Sequence, residues 1–152
     1  MKNIEEMLIK LLAKDYCTPQ ISRIAKESKE AATTIHYNVK KMEQEKKVLA
    51  YKAVFDYKKI DQGFCTYVLL NLSPDEYGNP ERIAKELAKF DEIESVDIVT
   101  GGWEMIVKVR TKNIDEYYSF VKTAISRKGI TKVISLNSLK QVKTEFIECS
   151  KG

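Results

Sequence analysis

The nine residues Phe64 to Leu72, FCTYVLLNL, constrain the fold most, because both of their alternating sets are largely apolar. One set is Phe64, Val68, Leu70 and Leu72, and the other is Cys65, Tyr67 and Leu69. A strand turns successive side chains to opposite faces, so this one needs cover on both sides. The run is rich in aromatic and β-branched residues and stops at the turn-forming SPDEYGNP.

The pattern that follows alternates between the two periods. Asn79-Pro80 opens a helix with the stripe Ile83, Leu87 and Phe90, and a strand is expected from Ile93 to Thr100. Gly101-Gly102 then reads as a tight hairpin turn into a strand from Trp103 to Arg110. Asn113 with Glu116 resembles a cap, and Ile114, Tyr117, Tyr118, Val121, Ala124 and Ile125 form a helical stripe that stops at Gly129. A last strand runs from about Ile130 to Leu139. This order is that of a ferredoxin-like βαββαβ sandwich, whose right-handed crossovers put both helices on one sheet face. The other face is left without cover, and Val133 and Ile134 extend its apolar surface, so a homodimer through the sheet is expected.

The first third has helical period instead. Asn3 and Glu6 resemble a capping box ahead of the stripe Ile4, Met7, Leu8, Leu11 and Leu12. Thr18-Pro19 opens a short second helix carrying Ile21, Ile24 and Ala25, and a third helix buries Ile35, Val39 and Met42. An apolar extended stretch runs from Val48 to Phe55. The fold class is therefore α+β: a winged helix-turn-helix over residues 1–50, a linker strand or hinge over 51–63, and a ferredoxin-like unit, expected to dimerise, over 64–152.

At 100° per residue the third helix turns Thr33, Tyr37, Lys40, Lys41 and Gln44 outward, with Thr34 and His36 beside them. The N-terminal residues of a recognition helix reach base edges, while lysines neutralise phosphates. Arg23 and Lys26 on the preceding helix are placed to add backbone contacts. The competing reading is an ordinary solvated face, since Glu43 and Glu45 lie near the lysines. Charge favours the first reading: residues 1–50 hold ten Lys/Arg against seven Asp/Glu, a net +3 of the chain's +4.

Enzyme classes find little support. His36 is the only histidine, and no nucleophile and orienting carboxylate are grouped with it in sequence. HExxH, GxSxG and phosphate-loop motifs are absent, so no catalytic residue, metal or cofactor is expected. Cys17, Cys65 and Cys149 are too far apart for a CxxC site and odd in number. With no long apolar run, the expectation is a cytoplasmic protein with no membrane partner.

The recognition-helix stretch TIHYNVKKMEQEKKVLAYKAVFD and the hairpin SVDIVTGGWEMIVKVR, in this order, resemble the Lrp/AsnC (feast/famine) transcription regulators along almost the whole chain. The resemblance implies double-stranded DNA as partner, a homodimer that can assemble into octamers, and an amino-acid effector bound between dimers. It would place Gly101, Gly102 and Trp103 near the effector cleft, flanked by Leu136, Asn137 and Ser138, with the turn amides holding a carboxylate and Glu104 an ammonium. Ala31 stands for the family's usual serine, Asn38 for its frequent arginine, Lys29 for a glycine, and Gly101-Gly102 for its Gly-Asp turn. Two alternatives remain: a ligand-binding or assembly module that no longer contacts DNA, and an enzyme like the siroheme decarboxylases, which use histidines in a sheet domain that has none here.

Overall fold

Asn3 caps the first helix, its side-chain oxygen accepting the Glu6 amide at 3.2 Å. Helix α1 spans Ile4–Leu12, α2 Ile21–Ser28 and α3 Ala32–Gln44. The computed structural model describes residues 3–149, and the chain divides into one unit of Met1–Phe55 and another of Asp56–Gly152.

In the first unit α2 ends on Lys29, whose left-handed φ of 60° lets its amide donate to Ala25 O, and α3 starts at once from the extended Ala31. This short connection gives the two helices of a helix-turn-helix. Ala25 is buried between them, while the stripe of α1 remains open: Ile4, Met7, Leu8 and Leu11 are all exposed, and so is Met42 of α3. Fifty-five residues bury little surface, and of the stripes read as core only Ala25 is fully buried, with Leu12, Ile21, Ile35 and Val39 partly covered.

The linker strand expected over 51–63 does not form. Residues 48–55 run extended but unpaired with any strand, tied by Tyr51 O accepting the Cys17 amide (3.0 Å) and by the Ala53 amide donating to Leu12 O (2.8 Å). Those two partners flank the α1–α2 connection, which bends between them, so a ladder has nothing straight to extend along. Residues 57–61 are turns.

The second unit is the ferredoxin-like sandwich. Strand β1 is Phe64–Leu72, helix α4 Pro80–Leu87, β2 Ile93–Ile98, β3 Met105–Thr111, helix α5 Ile114–Phe120, widened to π pitch over Val121–Ile125, and β4 Ile130–Asn137. The sheet order is β2-β3-β1-β4 with every neighbouring pair antiparallel. Asn113 caps α5 by accepting the Glu116 amide at 2.9 Å. Val68, Leu70 and Leu72 of β1 and Met105, Val107 and Val109 of β3 pack against Ile83, Leu87, Tyr117, Phe120, Ala124 and Ile125 of the helices.

Two expectations about this unit are revised. The Gly-Gly turn is not a two-residue hairpin: β2 stops at Ile98 and β3 starts at Met105, and the loop between them is closed by the Val99 amide on Glu104 O (3.0 Å). Only Gly101 has positive φ, at 111°. The last strand ends at Asn137 rather than near Leu139: the Ser138 amide still reaches Cys65 O, opposite it on β1 (2.9 Å), and beyond that bond the chain folds back over the sheet.

That return covers part of the face opposite the helices. Gln141 accepts from Arg110 (2.9 Å) and donates to Cys65 Sγ (3.6 Å), and Thr144 accepts from Lys108 (3.0 Å). Glu94 pairs with both Lys108 (2.7 Å) and Arg110 (3.1 Å), and the Tyr57 ring stacks on the Arg110 guanidinium at 3.6 Å. Tyr67, Leu69, Ile106, Ile134 and Leu136 lie on the remainder of the face, which stays open.

Candidate nucleic-acid interface and effector cleft

Helix α3 presents the expected outward face. Thr33, Thr34, His36, Tyr37, Lys40 and Lys41 are exposed, as are Arg23 and Lys26 on α2, and Tyr37 keeps 67% of its surface free. Lys40 lies 3.5 Å from Glu43, one turn on, and both are solvated, which makes the pair weak and easily exchanged for a phosphate. Arg23 donates to Gln20 at 3.0 Å. Asn38 does not reach outward: its amide donates to Thr34 O at 2.8 Å within the helix. On the flank of α3 the Tyr51 hydroxyl donates to the same Glu43 (3.3 Å), and desolvation together with that carboxylate pushes the phenol up from its ordinary value. The position of Lys29 explains a departure seen in the sequence, since a glycine enters this left-handed conformation without cost.

The residues expected around an effector divide into two groups. Gly101, Gly102, Trp103 and Glu104 lie in the β2–β3 loop at the Leu72 end of β1, whereas Leu136 pairs with Tyr67 and Asn137 with Thr66 toward its other end. Asn137 Oδ1 accepts from Thr66 Oγ1 at 3.0 Å. About six residues of strand, ~20 Å, separate the groups within one chain, so they meet in one site only if a second copy supplies one of them.

At the loop, Glu104 is a brace. Its Oε2 accepts the Leu72 amide (3.0 Å), and the Asn71 amide, turned so that its nitrogen faces acceptors, donates to the same oxygen (2.6 Å) and to Gly102 O (3.2 Å). Trp103 is half-buried with the Lys132 ammonium 5.3 Å from its ring. A hollow of about 270 Å³ opens beside the brace, lined by Leu72, Tyr77, Pro80, Ile98, Val99 and Glu104. Of its walls only Glu104 was legible as a site residue; Tyr77 and Pro80 sit in a segment that reads as a plain turn, and no local pattern marks them.

A helix-turn-helix with an exposed basic second helix, joined to a ferredoxin-like sheet unit with a half-open face, is the architecture of a DNA-binding regulator. Comparison with known proteins agrees. The Lrp/AsnC ligand binding domain matches residues 65–147. An HTH-type transcriptional regulator of Pyrococcus furiosus is 28% identical over 93% of this chain and 95% of its own length. The regulatory protein AsnC of Haemophilus influenzae is 30% identical over 81% of this chain and 80% of its own. In structure, a transcriptional regulator of Neisseria meningitidis solved as an L-Met complex superposes with a TM-score of 0.73 at 17% identity, covering 83% of this chain and 82% of that one. The chain belongs to the Lrp/AsnC family and is a helix-turn-helix transcriptional regulator.

Proposed function

We propose that a dimer of this chain presents two α3 helices to successive major-groove faces of a pseudo-palindromic DNA site. Thr33, Thr34 and Tyr37 read base edges, Lys40 and Lys41 neutralise phosphates with Arg23 and Lys26 supporting from α2, and His36 contacts the backbone from the flank. The observation that carries this reading is the free outward face of α3 in a chain of this family. Domain boundaries at 50 and 63 serve as working limits for the DNA-binding part, the hinge and the sheet unit, and the protein works in the cytoplasm. Lys40→Ala with Lys41→Ala removes two phosphate contacts. The account predicts a flattening of the log K against log salt slope by about 1.8, from about 0.9 per contact, measured by fluorescence anisotropy at several salt concentrations. An unchanged slope would remove α3 from the interface.

The second unit makes the dimer through the open half of its sheet, builds octamers, and takes a small amino-acid effector in a cleft shared between copies. The L-Met complex of the Neisseria relative supports that ligand class. The Gly101 and Gly102 amides and Trp103 form one side, and Leu136, Asn137 and Ser138 of a second copy the other. Glu104 shapes the loop through Leu72 and Asn71, and its free oxygen faces the ammonium. Isothermal titration with each of the amino acids tests this, and no heat from any would sink it. The protein acts without catalysis, a reading supported by its regulator relatives and by the lack of any histidine outside α3.

Two observations favour a second reading, an assembly module that has lost DNA binding: Asn38 is turned back onto its own helix and Ala31 supplies no side-chain cap. The same salt titration separates the two, since an assembly module shows no binding at any salt.

A further inference from the structure

After Thr144 the chain reverses in a two-residue hairpin, with β5 Lys143–Thr144 paired to β6 Ile147–Glu148. Both turn residues are left-handed, Glu145 at φ 49° and Phe146 at φ 68°. Such a turn normally takes Asn-Gly, because those residues enter the left-handed region with little or no steric penalty. Here a glutamate and a phenylalanine hold it. The glutamate has a local reason: its Oε2 accepts the Tyr57 hydroxyl at 2.9 Å, which fixes the hairpin to the sheet through the Tyr57–Arg110 stack. Phe146 has none. It is 94% exposed, and Leu139, Val142 and Ile147 of the same return segment are 98%, 70% and 54% exposed. A strained turn that displays an uncovered aromatic ring points to a contact outside the chain.

The sheet face beneath is stepped. The half at Cys65, Lys108 and Arg110 is filled by the hairpin segment and Tyr57, while the half at Tyr67, Leu69, Ile106, Ile134 and Leu136 is bare. A two-fold axis through the step sets the filled half of each copy over the bare half of the other, which satisfies both at once, as an isologous contact requires. We infer that the 143–148 hairpin is a clasp that seats Phe146 on the bare half of the sheet face of a second copy of this chain. The clasp rests on the sheet-mediated dimer proposed above and adds the element that locks its register.

The test uses the full chain. Sedimentation equilibrium gives the dimer dissociation constant of the wild type and of Phe146→Ser, a change at a solvent-facing position that leaves the monomer core alone. The clasp predicts a weakening of ~10-fold or more, as for an aromatic anchor at a dimer centre. In parallel, a photoreactive phenylalanine at 146 in a mixture of isotopically light and heavy chains is expected to crosslink light to heavy at peptides containing Tyr67–Leu69 or Ile134–Leu136. A wild-type dimer with an unchanged constant for Phe146→Ser, or crosslinks confined within single chains, overturns the clasp and leaves the dimer standing. A monomeric wild type overturns both.

Discussion

Lys29 shows how a single backbone angle shapes the DNA-binding unit. Its φ of 60° ends α2 and aims α3, and a lysine there pays a steric cost that a glycine avoids. Lys29→Gly is expected to stabilise the protein by about 0.5–1 kcal/mol in urea unfolding, the steric relief outweighing glycine's extra unfolded freedom. Glu104 works the other way: Glu104→Ala leaves the Leu72 amide without its acceptor and should cost about 1–3 kcal/mol with no effector present, which separates its bracing role from any ligand contact. Titration adds a third expectation. Burial raises the Tyr57 and Tyr117 hydroxyls above their ordinary 10.0 and the Cys65 thiol above 9.0, Tyr57 being pushed further by its bond to Glu145, and Arg110 and Lys108 opposing the rise at Cys65. Groups raised in the folded state stay protonated there while the unfolded chain ionises. Stability is then full below pH 9.0 and falls as pH climbs through and beyond 10.0, which thermal melts across that range will register.

At the scale of elements, strands and helices were legible where period and caps agreed. FCTYVLLNL is β1 from end to end, and Asn113 with Glu116 caps α5 as the spacing implied. What misled were stretches where apolar content does not decide pairing. Residues 48–55 are extended as read but pair with no strand, held instead by the α1–α2 connection and by Glu43 of α3, and Gly101-Gly102 looks like a tight turn but belongs to a longer loop set by Glu104. The hairpin at 143–148 carries Glu-Phe where a turn signal would be Asn-Gly, so sequence gave no warning of it. The outward face of α3 followed directly from helical angle, whereas the hollow beside Glu104 is assembled from β1, α4 and β2 and has no local signature. Helix α1 leaves its apolar stripe open, so the isolated fragment 1–55 is expected to melt broadly and well below the intact chain by circular dichroism. A sharp, coincident transition would show that the unit is stable alone.

For the whole molecule, the division of labour follows charge and burial. The basic excess lies in the first third, and the sheet unit holds the large core and a half-open apolar face. One short recognition helix covers few base pairs, so the proposed dimer is what would give α3 enough sequence to be specific. The central claim is therefore that the dimer reads a two-fold site through α3. The most direct measurement is selection from a pool of random duplexes with the purified full chain, sequenced after several rounds at two salt concentrations. The account predicts enrichment of a two-fold symmetric motif with half-sites about one helical turn apart, and its loss in the Lys40→Ala, Lys41→Ala double variant. A motif without symmetry, or no enrichment at either salt, would contradict it.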